Sequence, residues 1–133
     1  MAEDFFESPI VIEALDDIVK MQEQIITFAA FAEYATIDDQ WDNLKTLRAL
    51  SSKQRNMCFR CILSDDDRAK VLLNDVLEHF KESGHVIDPT NPISVFDDVE
   101  RDLDDLEEKL KFAEEHGFFP GEEPGGETPP YSL

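Results

Sequence analysis

Along the first third of the chain, Val11, Ala14, Ile18, Met21, Ile25, Phe28 and Ala32 recur at alternating steps of three and four. Only an α-helix, turning once every ~3.6 residues, gathers such a series onto one narrow stripe. The same heptad returns near the end in Phe96, Val99, Leu103, Leu106, Leu110 and Ala113. Between them lie two further apolar series, Trp41 to Leu50 resuming at Met57 to Ile62, and Ala69 to Phe80. No stretch alternates with the period of a strand. The pattern predicts an all-α protein, an antiparallel helical bundle or an extended helical hairpin of about four helices.

Helix boundaries are well marked. Ser8 before Pro9 reads as an N-cap with proline at the first helical position, where its missing N–H costs nothing. Phe5 or Phe6 can then fold back onto Ile12 as a hydrophobic staple. This first helix is expected to end near Tyr34. Thr36 with Asp39 predicts a capping box for a second helix running to about Leu63, which Ser51 and Ser52 either interrupt or face to solvent. Ser64 followed by three aspartates predicts the third start, and Gly84 its stop. Pro89 and Pro92 block helix before a Ser94–Asp97 capping box, and His116-Gly117 closes the last helix. Residues 1–116 read as a single domain. Residues 117–133, rich in Pro, Gly and Glu, read as a disordered C-terminal tail. Strict heptads in two helices also predict a coiled-coil homodimer or higher oligomer.

Charge narrows the function classes. Acidic residues number 31 against 12 basic, a net charge of −19. Residues 1–35 and 93–116 each carry −7, whereas 36–63 carry +2, with no Asp or Glu between Asn43 and Ser64. Such a chain repels phosphate backbones and anionic lipid, so no direct nucleic-acid partner and no membrane are expected. No apolar run is long enough to span a bilayer, and acid stands at the start where a signal peptide carries base. A cytoplasmic setting follows as the expectation.

Catalytic patterns are wanting. Cys58 and Cys61 form a Cys-x-x-Cys pair, but the histidines at 79, 85 and 116 are distant and no second pair exists. Both cysteines fall on the apolar phase of their helix, where Cys serves as a small hydrophobe. The histidines have no nucleophile and orienting acid at recognisable spacing. The acidic run from Asp97 to Lys109 lacks the glycine of a calcium loop and reads as a solvated helix face. No enzyme activity, cofactor or metal site is expected.

The opening "FFESPIV" resembles the Phe-Phe-Asp-Ser-x-Ile-Val start of a small family of unknown function found in cyanobacteria and their phages. "RNMCFRCILSDDD" is similar to that family's basic helix running into Leu-Ser and acids, so the resemblance covers roughly residues 5–80. It implies an intracellular protein of a cyanobacterium or its phage and brings no reaction or site. Cys58 and Cys61 depart from the family's pattern.

The sequence therefore points to a non-enzymatic interaction or regulatory protein that docks on a larger protein, with a basic surface the natural complement to its charge. Candidate contacts are Phe5 and Phe6, the basic face of Lys45, Arg48, Lys53 and Arg55, and the acidic face of Asp104, Asp105 and Glu108. The basic face can equally serve to neutralise the two acidic helices within the chain. The alternative function is an acidic nucleic-acid mimic that inhibits a host DNA- or RNA-processing enzyme.

Overall fold

The computed structural model describes residues 5–119. The described chain is all-α, with helices α1 (Pro9–Ala30), α2 (Ile37–Leu63), α3 (Asp67–Glu82) and α4 (Val95–His116). A 3-10 turn, Phe5–Glu7, leads into α1; two more, Ala32–Tyr34 and Pro92–Ser94, precede α2 and α4. No helix among these residues is long and apolar enough to cross a membrane.

α2 is the spine of the bundle. Lys53 of α2 pairs with Asp17 of α1 at 3.1 Å, and Arg48 pairs with Glu100 and Asp104 of α4 at 3.0 and 2.8 Å. Core partners run in opposite order along the chains, so α1 and α4 both lie antiparallel to α2. Two apolar clusters result. One gathers Phe5, Val11, Ile18, Met57, Cys58, Cys61, Ala69, Leu73, Val95 and Phe96, drawn from every helix. The second, at the other end, is built on Leu44, Leu103 and Leu110, from α2 and α4. The buried parts of both heptad stripes, Val11 and Ile18 on α1 and Phe96, Leu103 and Leu110 on α4, lie inside these clusters, whereas Met21, Ile25 and Phe28 are half-buried and Ala32 is exposed.

Caps explain most boundaries. Thr36 Oγ1 accepts from the Asp39 N–H at 3.1 Å while Asp39 Oδ2 accepts from the Thr36 N–H at 3.0 Å, completing the expected box. α2 continues through Ser51, which is buried, and Ser52, which faces solvent. At the end of α3, the His85 N–H donates to the Phe80 carbonyl and the Gly84 N–H to that of Lys81, both at 3.0 Å. Gly84 has φ +96°, the left-handed geometry this closing motif requires, and its position is otherwise open space. Gly84→Ala should therefore lower stability by about 1–2 kcal/mol through backbone strain alone, read from a urea melt.

Several expectations need correction. α1 stops at Ala30 rather than near Tyr34, and Ser8, though it is the N-cap ahead of Pro9 as expected, makes no side-chain capping bond. The third helix is capped by Asp66, not Ser64; Ser64 instead accepts from the Asp66 N–H, so only Asp67 lies in the first turn. Ser94 closes the Pro92–Ser94 turn with helical backbone and makes no side-chain capping bond, so no capping box forms with Asp97. Two residues beyond His116 also pack on the bundle. Phe118 packs edge-on against Phe112 at 5.6 Å, and Phe119 packs on the Leu44–Leu110 cluster. The rest of the expected tail, 120–133, lies outside the described residues.

Candidate docking surfaces

Phe5 is buried in the main cluster, to which Val11 also belongs, whereas Ile12 is exposed. Phe6 is half-buried, edge-on to Phe5 at 5.0 Å, and the Arg68 guanidinium sits over its ring at 5.1 Å. Phe5 thus belongs to the core, while Phe6 is half-buried between Phe5 and Arg68. Removing them should have unequal effects: Phe5→Ala is expected to cost about 2–4 kcal/mol and Phe6→Ala about half that, measured by chemical denaturation.

The basic face divides in two. Arg48 is bound by Glu100, Asp104 and, at 3.5 Å, Glu107, and these carboxylates raise its already high pKa further, with the Asp104 bond the largest cause. Lys53 is bound by Asp17. These two side chains neutralise α4 and α1 where each meets α2. Lys45 and Arg55 are exposed, with no ion pair among the described residues. Of the acidic candidates, Asp104 is the Arg48 partner, while Asp105 and Glu108 are exposed on α4. That outer face is not a continuous row of carboxylates: Arg101 pairs with Asp98, and Lys111 reaches Glu107 and Glu108 at 3.5 and 3.6 Å.

Cys58 and Cys61 are buried and unbonded, as expected of small hydrophobes in the core. Burial first, and Cys61 beside it second, push the Cys58 thiol up to about 12; burial also raises Cys61, against the opposing pull of Lys70. A thiol so protonated and enclosed is a poor nucleophile. Both should react with a thiol reagent at mildly alkaline pH only as fast as the protein unfolds, and rapid labelling of the native chain would contradict this. Among the described residues no three His, Cys, Asp or Glu stand close enough to hold a metal ion.

Two surfaces escaped the sequence reading. A crevice of about 400 Å³ opens between the end of α1 and the start of α2, walled by Phe28, Phe31 and Tyr34 and by Asp39 and Asp42. The outer side of α1 exposes Ile12, Val19 and Ile26. The signal for the latter was present as a second heptad series one residue out of phase with the first. Counting only the stronger stripe concealed it.

Comparison with known proteins leaves the reading to these surfaces: no family model matches the chain, and neither a curated protein nor a solved structure does.

Proposed function

We propose that this protein is a non-enzymatic helical adaptor or regulator that docks on a larger, basic protein. The observation that carries this reading is the division of charge. Arg48 and Lys53 are consumed at the α1–α2–α4 junctions, leaving carboxylates such as Glu13, Glu23 and Asp105 exposed, with the apolar Ile12, Val19 and Ile26 beside those of α1. Outward carboxylates steer a basic partner and reject nucleic acid and acidic surfaces. The resemblance of its opening residues to a cyanobacterial and phage family makes a cyanobacterial cell, in its cytoplasm, the setting in which to seek that partner.

Immobilised protein exposed to a cyanobacterial lysate should retain a basic protein, identified by mass, that elutes as salt is raised. Retention of nothing specific, or of a protein indifferent to salt, contradicts the proposal. Addition of magnesium or manganese should leave the melting temperature unchanged; a rise would favour a metal-dependent activity instead. The nucleic-acid-mimic reading is weaker, because Arg101 and Lys111 break the carboxylate row on α4 that would stand for phosphates.

A further inference from the structure

Ile12, Val19 and Ile26 stand one heptad apart on α1 and are 53%, 50% and 68% exposed. Each lies one residue beyond a position of the core-facing stripe (Val11, Ile18, Ile25), about 100° further round the helix. Single exposed apolar residues are ordinary, but three β-branched side chains one heptad apart, with Asp16 and Glu23 between them, form an apolar ridge edged with carboxylates on which an amphipathic helix can lie. The row spans about 21 Å, four turns of helix.

Its charges indicate what covers it. Asp16 follows Ile12 by four residues, Glu23 follows Val19 by four, and Glu13 adjoins Ile12. Lys20 is the sole base of α1, and Asp16 holds its ammonium at 2.9 Å. Glu13 and Glu23 make no ion pair among the described residues. A second copy would bring the same carboxylates to the seam, and like charges across a helix pair are destabilising.

We propose that this ridge docks an amphipathic helix of a partner protein, with Leu, Ile or Val at heptad spacing and Lys or Arg beside them. The inference rests on the docking function above and adds the surface and the shape of the partner. α1 supplies the apolar anchors, and Glu13, Glu23 and the Asp16–Lys20 pair supply the charge that sets the partner's sign.

The test uses two synthetic helical peptides with identical leucine heptads, one flanked by Lys and the other by Glu, titrated into methyl-labelled full-length protein. The Lys peptide should move the Ile12, Val19 and Ile26 signals, with the Glu peptide weaker by roughly tenfold or more. The double change Val19→Ser, Ile26→Ser touches only exposed positions and should lower Lys-peptide affinity by roughly tenfold, with the melting temperature confirming the fold. Glu13→Gln with Glu23→Gln should narrow the gap between the peptides. Absence of binding overturns the proposal, as do signals moving at the Phe31–Tyr34 crevice instead. Ridge signals that broaden with protein concentration alone would assign the seam to a second copy. If the peptide fails while a natural basic partner still binds with salt dependence, the ridge is refuted and the docking function stands. If the peptide binds and no natural partner is retained, the ridge stands and the docking function falls.

Discussion

Phe96→Ala is expected to lower folding free energy by about 3–5 kcal/mol, the range for deleting a large buried aromatic side chain. Phe96 is almost wholly enclosed in the cluster to which every helix contributes, and its ring meets that of Phe80 edge-on at 5.2 Å. The truncation loses apolar burial, the aromatic contact and the packing between α3 and α4 together. Domains of this size are stable by about 5–15 kcal/mol, so the loss removes a large share of the whole. A shift of the urea midpoint with little change of slope is the signature to look for. A loss below about 1 kcal/mol would mean that α3 does not close over this end of the bundle.

Leu110→Ala should cost about 3 kcal/mol or more at the opposite end. Leu110 is fully buried with Leu44 and Leu103, where only α2 and α4 supply buried apolar residues. Along α4 it stands about 21 Å from Phe96. Sites so separated, in different clusters, add nearly independently. The double variant should therefore lose close to the sum of the single losses. A coupling larger than about 1 kcal/mol would show that the two clusters act as one core.

Much of this architecture was legible in the sequence, for identifiable reasons. The heptads fixed the buried faces of α1 and α4 because the apolar stripe and the helical turn have nearly the same period. The Thr36–Asp39 box and Gly84 marked true boundaries because both act through local backbone geometry. Ser64 and Ser94 misled, since a serine with acids behind it can form a short turn as readily as a cap. Asp66 prevailed in one case, and the 3-10 turn at Pro92 prevailed in the other. Phe5 and Phe6 stood both as a staple for the first helix and as candidate partner contacts, a choice local spacing does not make. A 3-10 turn and the Arg68 guanidinium accommodate both.

The candidate surfaces were less legible. That Arg48 and Lys53 bind α4 and α1, while Lys45 and Arg55 do not, depends on which helices flank α2, and no local spacing reports that. The α1 ridge was visible as a series but lacked meaning until the structure placed α2 against the other stripe. The division of charge now distinguishes carboxylates used inside the bundle from those offered outside it.

The most direct measurement of the central claim is the affinity, as a function of salt, for whatever basic protein the immobilised chain retains from the lysate. The docking account predicts a steep fall from low to high ionic strength, and partial loss on Glu13→Gln with Glu23→Gln. An affinity that does not change across that range would contradict it.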